Sequence, residues 1–213
     1  MNTIADIRKD YKLQRFLETD AKADAIEQFT AWWQDAINSE IDEVNALTLC
    51  TATADGKPSG RIVLLKGYDS NGFVFFTNYN SKKGKTLQDN PQASLVFFWK
   101  ELERQVRIDG IIQKVSAAES DAYFFSRPVS SQVGAWASPQ SKVIENREVI
   151  EKNVENYEKE FAVNPISRPA HWGGYRLVPD CIEFWQGRPS RLHDRLQYTL
   201  QDNKLWKIER LAP

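Results

Sequence analysis

The stretch ALTLCTATADGKPSGRIVLLKGYDSNGFVFFTN, residues 46–78, decides the fold. Three runs rich in Val, Ile, Leu, Phe and Thr lie at 46–54, 60–68 and 72–78, the composition of pleated, half-buried strands. Between them stand Asp55-Gly56-Lys57-Pro58 and Asp69-Ser70-Asn71-Gly72, which are turn sequences. Links this short join antiparallel neighbours, because a parallel crossover needs a dozen residues or more. Two further runs follow at 93–100 and 104–115, the first preceded by Asn90-Pro91. After Pro165 and Pro169 strands resume at 174–178, 181–185, 191–200 and 205–211, the last two joined at Asp202-Asn203.

Helical spacing occupies the gaps. Ile26, Phe29, Trp33, Ala36 and Ile37 give an amphipathic helix within 24–41. Short helices are expected at 81–88 and from Ser116, which stands three residues before Glu119 as in a capping box, to Phe125, before Arg127-Pro128. A longer one is expected over 142–161. The pattern is α+β, mainly β: an antiparallel barrel or sandwich with peripheral helices. One domain over 23–213 follows a polar arm, 1–22.

Composition narrows the function. A formal net charge of −1 gives no overall basic field to recruit nucleic acid. No window approaches the ~20 apolar residues that span a bilayer, and residues 1–12 lack the apolar core of a secretory signal. A soluble, cytoplasmic protein is expected, with no nucleic-acid or membrane partner. Cys50 and Cys181 form no CxxC pattern, and two histidines, His171 and His193, cannot build a histidine-rich metal centre. No metal is expected. Dinucleotide and P-loop fingerprints are missing, so redox chemistry here would need an organic cofactor held in another way.

Cationic residues nevertheless gather locally. In Trp185-Gln186-Gly187-Arg188-Pro189-Ser190-Arg191-Leu192-His193-Asp194-Arg195, the residues Arg191, His193 and Arg195 alternate, and a regular strand would turn all three to one face. Two readings stand: a solvated edge strand, or a face built for an anionic or electron-rich ligand. Arg61-Ile62-Val63-Leu64-Leu65-Lys66 carries a cation at each end, on opposite faces unless the strand bends. Ser81-Lys82-Lys83-Gly84-Lys85 opens a short helix, where free N–H groups and ammonium groups suit phosphate and an exposed turn is the alternative. Tyr123, Arg127 and Ser131 form a second possible anion cradle. Gln105, Gln140, Ser141 and Trp185 could edge a planar heterocycle.

These blocks, taken in order, resemble the pyridoxine/pyridoxamine 5′-phosphate oxidase family along nearly the whole chain. They are Arg61 to Lys66, Phe76-Thr77-Asn78 with Ser81-Lys82-Lys83, Leu102-Glu103-Arg104-Gln105-Val106, and Ser126-Arg127-Pro128 through Ser131 to Trp136. Gln140-Ser141, Trp172-Gly173-Gly174, Ile182 through Gly187, Arg191 to Arg195 and the ending Trp206 to Pro213 complete the set. The resemblance implies an FMN-binding split β-barrel, antiparallel and Greek-key-like, working as a homodimer with FMN at the subunit interface. It implies an oxidoreductase acting on CH–NH2 donors with dioxygen as acceptor. Pyridoxamine or pyridoxine 5′-phosphate would become pyridoxal 5′-phosphate, with release of hydrogen peroxide.

By position, FMN would be held by Arg61, Ile62, Val63, Leu64, Leu65, Lys66, Phe76, Thr77, Lys82, Lys83, Gln105, Gln140, Ser141, Trp185 and Arg195. The substrate phosphate would fall to Lys66, Tyr123, Arg127 and Ser131. Arg191 and His193 would face the substrate ring as the catalytic pair, and Arg8 and Tyr11 match a segment that closes over the substrate. Lys82 stands where many relatives carry Arg, which keeps the charge and loses the bidentate fork. The rival readings are a split-barrel flavin reductase of another substrate and a non-catalytic flavin or vitamin-phosphate carrier.

Overall fold

The computed structural model describes Thr3, Ile4 and residues 9–213 of the 213-residue chain. Nine antiparallel strands form one curled sheet. They are β1 (Ala46–Ala52), β2 (Pro58–Leu64), β3 (Gly67–Asp69), β4 (Gly72–Asn78), β5 (Gln92–Trp99), β6 (Arg104–Lys114), β7 (Trp172–Gln186), β8 (Asp194–Leu200) and β9 (Trp206–Arg210). The strand path runs β2-β1-β5-β6-β7-β4-β3, and the β8–β9 hairpin branches from β7. The mainly-β antiparallel expectation is what the structure shows. Among the described residues no helix is long and apolar enough to cross a membrane.

Helix α1 (Ala25–Asn38) fills the concave face. Asp24 caps it, accepting from the N–H groups of Ile26 and Glu27. Phe29 meets Phe73 at 4.8 Å, Tyr68 at 4.9 Å, Phe97 at 5.4 Å and Trp99 at 6.1 Å between ring centroids. Trp32 touches Phe16 and Phe184. Burying a side chain of this size contributes about 1.5–3 kcal/mol, so Phe29→Ala would open the centre of the barrel.

Four departures from the sequence reading have physical causes. The expected strand 60–68 breaks at Leu65 and Lys66, giving β2 and β3, so strict alternation between Arg61 and Lys66 no longer applies. The expected strands 174–178 and 181–185 are one strand, β7. Pro179 lies at a register shift opposite Asp109 and Gly110, where a residue without an N–H is tolerated. Gly110 fits there because a Cβ would stand 2.1 Å from the Val178 carbonyl oxygen.

The last two departures concern helices and the 185–195 stretch. Helices α2 (Lys82–Asp89) and α3 (Ala117–Ser126) agree with expectation, but α4 (Val129–Ala137) is a helix where the sequence reading assigns no element. Helix α5 (Glu148–Phe161) starts later than expected, because residues 142–147 are all exposed and offer nothing to bury. Strand β8 begins at Asp194, not at 191. Pro189–Arg191 is a tight helical turn with Ser190 at φ 56° and Arg191 at φ 62°. The alternating face proposed for Arg191, His193 and Arg195 is therefore wrong: only Arg195 lies on a strand.

Candidate functional site

Strands β2 and β4, the start of α2 and helices α3 and α4 surround a cavity of about 460 Å³. Ser81 sets the α2 corner. Its Oγ accepts from the Gly84 N–H at 3.2 Å and donates to the Asn78 carbonyl at 2.6 Å. Gly84 is required, since a Cβ there would lie 2.1 Å from the Tyr79 carbonyl oxygen. Ser116 caps α3, accepting from the Glu119 N–H, and α3 delivers Tyr123. Helix α4 delivers Ser131.

The cavity is lined by Ile62, Val63, Leu64, Lys66, Phe76, Thr77, Lys83 and Gln140, all expected on the cofactor, and by Tyr123, Arg127 and Ser131, expected on the substrate phosphate. Asn78, Gly134, Ala135, Ser138 and Trp172 line it too and were not singled out as site residues. The Trp172-Gly173-Gly174 block was the available signal for Trp172. Phe76 stacks on Tyr123 at 4.0 Å and on Trp172 at 5.6 Å, making an aromatic wall.

Its electrostatics are one-sided. Lys83 Nζ donates to Thr77 Oγ1 at 2.8 Å and Gln140 Oε1 at 3.0 Å. Burial, then the neighbouring Arg61 charge, pushes the Lys83 ammonium below its ordinary range. Arg61, the charge that acts on Lys83, does not itself line the cavity; it donates to the Leu49 carbonyl, Thr51 Oγ1 and Ser59 Oγ. Arg127 donates through Nη2 to the Ser131 carbonyl at 2.8 Å and lies 4.6 Å over the Trp172 ring. Its Nη1 is buried without a partner, and burial lowers its pKa. Lys66 lies over the Tyr123 ring at 6.0 Å. Among the described residues none of these four cations is paired with a carboxylate, so a ligand anion would meet uncompensated charge.

The remaining expected residues gather elsewhere. Gln105, Trp185 and Arg195 are register partners across β6, β7 and β8, a row on the outer face of the sheet. Arg195 donates to Glu183 Oε1 at 2.7 Å and to the Ala212 carbonyl at 2.8 Å. Glu183 is 2% exposed; its other oxygen lies 3.2 Å from Arg107 without an aligned hydrogen bond.

Tyr11, Arg191 and His193 line a second cavity with Lys9, Asp10, Arg188 and Ser190. The His193 ring lies 4.5 Å from Trp185 and 6.1 Å from Tyr11. The Arg188 N–H donates to His193 Nδ1 at 3.1 Å, which assigns the proton of the neutral ring to Nε2. Burial, then Arg191 and Arg195, lowers the His193 pKa. The Arg191 guanidinium is exposed, on a backbone in the left-handed region at φ 62°.

Leu65 is a core residue at 5% exposure. Lys82 and Ser141 are exposed, Ser141 at φ 69°, and neither lines the first cavity. Arg8 lies outside the described residues. Among the described residues no group of three His, Cys, Asp or Glu side chains could hold a metal.

Comparison with known proteins adds an independent finding. Residues 33–160 match the family described as "Pyridoxamine 5'-phosphate oxidase". Residues 172–213 match the "Pyridoxine 5'-phosphate oxidase C-terminal dimerisation region". A pyridoxine/pyridoxamine 5′-phosphate oxidase of Paraburkholderia phymatum is 56% identical over 100% of both chains. PhzG from Burkholderia lata, solved with tetrahydrophenazine-1-carboxylic acid, is similar at TM-score 0.84 and 32% identity, covering 92% of this chain and 95% of its own. An FMN-binding, pyridoxamine 5′-phosphate oxidase-related protein of Nostoc punctiforme shares the fold at TM-score 0.72 and 19% identity, covering 91% and 100%. With the barrel strands, the cation-lined cavity and the C-terminal hairpin all lying within the two matched regions taken together, the chain belongs to the pyridoxine/pyridoxamine 5′-phosphate oxidase family of oxidoreductases.

Proposed function

We propose that the protein oxidises pyridoxine 5′-phosphate, and pyridoxamine 5′-phosphate with uptake of water and loss of ammonia, to pyridoxal 5′-phosphate, with FMN as its cofactor and dioxygen as the final acceptor, reduced to hydrogen peroxide. The observation that carries this reading is the set of unpaired cations at the first cavity, above all the partnerless Nη1 of Arg127. Two phosphate monoesters, one on FMN and one on the substrate, would give those cations their counter-charge.

The donor set fits both ligands. Arg61 and Lys83, with Thr77 and Gln140, would hold the FMN phosphate and ring edge, joined by the Gln105–Trp185–Arg195 row. Lys66, Tyr123, Arg127 and Ser131 would hold the substrate phosphate. FMN supplies the acceptor for the hydride that leaves the 4′ carbon of the substrate. Anchoring the remote phosphate lets binding energy fix the reacting carbon. His193, neutral and protonated at Nε2, would donate a hydrogen bond to the substrate, and Arg191 would cover its ring.

The two cavities are lined by different residues. A homodimer would bring the second cavity of one protomer to the first cavity of its partner. The dimerisation description of the matched region over 172–213, which holds the row, His193 and Arg191, supports that arrangement. Exposed Ile62 and Phe98 supply apolar surface for it.

Anaerobic addition of pyridoxamine 5′-phosphate to the purified yellow protein tests the proposal. Bleaching, followed by peroxide release on admitting air, is expected. Release of FAD on denaturation would overturn the cofactor assignment. Flavin that stays oxidised would leave a carrier or an enzyme of another substrate.

A further inference from the structure

The N-terminal arm is held in two sections. Its inner section is clamped from several sides. Arg104 donates to Gln14 Oε1 at 2.6 Å, and Arg188 to the Gln14 carbonyl at 3.1 Å. The Phe16 N–H donates to Asp194, the Phe16 carbonyl accepts from Arg210, and the Phe16 ring is buried. Its outer section, residues 9–13, is different. Among the described residues, every hydrogen bond and ion pair that leaves this section ends on one carboxylate, Glu103. The N–H groups of Lys12 and Leu13 donate to Glu103 Oε2 at 2.8 and 3.2 Å, and Lys9 Nζ lies 3.1 Å from Oε1.

Glu103 is shaped for this role. It is 3% exposed, unusual for a carboxylate. Its backbone takes φ 54°, a left-handed turn between the short helical turn at Lys100–Leu102 and β6. Its carbonyl is fixed by the N–H of Gly187 at 2.7 Å and by Gln186 Nε2 at 3.2 Å. Burial raises its pKa, and the bonds from Leu13, Lys9 and Lys12 outweigh that and hold it below the ordinary carboxylate value. Gly187 adds an independent observation. A Cβ at this position would stand 2.7 Å from the Tyr11 ring, so Tyr11 can seat itself only against a glycine. The seated ring meets Trp185 edge-on at 5.7 Å and His193 at 6.1 Å.

We propose that the Glu103 carboxylate is the latch that docks residues 9–13 and so seats Tyr11 against Trp185 and His193, making Glu103 a positioning residue for the substrate side of the site. This rests on the oxidase reading above for its kinetic consequence, but not for its structural one. The inner clamp keeps the arm attached while the outer section opens and closes at a single anion. That is the local, low-stability opening expected of segments that admit ligands.

Trypsin provides the structural test, because the Lys12 side chain is exposed while the N–H of the Lys12–Leu13 bond is held by Glu103. In the full-length FMN-loaded protein, Glu103→Ala should be cut after Lys12 roughly tenfold faster or more, as losing hydrogen bonds to a charged acceptor implies. The KM for pyridoxamine 5′-phosphate should rise more than kcat falls. Glu103→Gln keeps an acceptor oxygen and should recover much of the protection and of the KM. Gly187→Ala, with Glu103 intact, should expose the same bond, which keeps the test available if Glu103→Ala folds poorly. In a Tyr11→Ala background, Glu103→Ala should change KM less than about twofold, since both act through one contact. Wild-type protection at Lys12 in Glu103→Ala, or multiplicative KM effects of Glu103→Ala and Tyr11→Ala, would overturn the proposal. If the wild type oxidised no pyridoxamine 5′-phosphate, the reaction assignment would fall, while loss of Lys12 protection in Glu103→Ala would still uphold the latch.

Discussion

Replacing Arg127 by alanine puts the phosphate assignment at risk most directly. The guanidinium carries one bonded nitrogen, Nη2 on the Ser131 carbonyl at 2.8 Å, and one buried nitrogen with no partner. On binding, Nη1 would gain a charge-assisted hydrogen bond to phosphate. Such a bond contributes about 1.5–3 kcal/mol, which at ~1.4 kcal/mol per decade is a KM rise of roughly ten- to 150-fold. The bond holds the phosphate alike in ground and transition states, so kcat should change little. Folding should barely respond. Loss of the Ser131 bond, whose donor is charged, costs about 1.5–3 kcal/mol and loss of the Trp172 contact about 0.5–1 kcal/mol. Removing a buried, unpaired N–H returns about 1–3 kcal/mol. For a chain of this size a net within ~1 kcal/mol moves Tm by about 2–4 °C at most. Steady-state kinetics, an FMN titration and a melting curve read the three quantities separately. Arg127→Lys, keeping the charge without the fork, should fall between wild type and alanine. A variant that loses FMN while keeping its KM would refute the reasoning, because Arg127 would then belong to the cofactor.

Four further outcomes are expected. Arg191→Met should keep FMN and lose turnover at saturating substrate, because no described partner depends on its guanidinium. Arg195→Met should lose FMN affinity and also about 1–2 kcal/mol of stability, since it strips one cation from buried Glu183 while Arg107 remains; equal behaviour of the two variants in an FMN titration would count against the division. The lowered His193 pKa means that the neutral ring persists below the ordinary value of ~6.5. Its stabilising contribution is complete above that pH and is lost as pH falls through the folded pKa, when protonated Nδ1 can no longer accept from Arg188. An acid limb of kcat/KM at or above pH 6.5 would contradict this. Gly84→Ala, forced against the Tyr79 carbonyl, should cost about 1–3 kcal/mol and lower Tm by several degrees in a thermal scan.

The barrel was legible because its strands are short, β-rich and separated by turn residues whose conformations are locally encoded. The α2 corner was legible for the same reason, since Ser81 and Gly84 act within one turn of helix. Helix α4 was hidden behind Arg127-Pro128, which ends one helix and, with Pro128 at the N-cap, begins another. The 185–195 stretch misled through its alternation. The residues are spaced as on a strand, but Pro189 and two left-handed residues turn the chain first. Glu103 was quoted only as part of a motif, and Arg188 and Glu183 were given no role. Glu103 acts on N–H groups 90 and 91 positions away, and a hydrogen bond at that separation leaves no local pattern. The cavity itself escaped sequence reasoning for the same reason: its lining comes from six separate elements.

Strand β7 sets the order in which this chain can be completed. It is the shared neighbour of β4, β6 and β8. Tyr79, just past β4, bonds Gly174 across 95 positions. Until residues 172–186 leave the ribosome, β4 and β6 each present a bare row of N–H and C=O groups, open to pairing with other nascent chains. A sheet so dominated by distant partners folds on the slow side of the millisecond-to-second range. The arm waits longer still, because Arg210, which grips the Phe16 carbonyl across 194 positions, lies beyond β7 in the chain. A segment made before every strand is thus among the last to find its place, and two open sheet edges need shelter until β7 arrives.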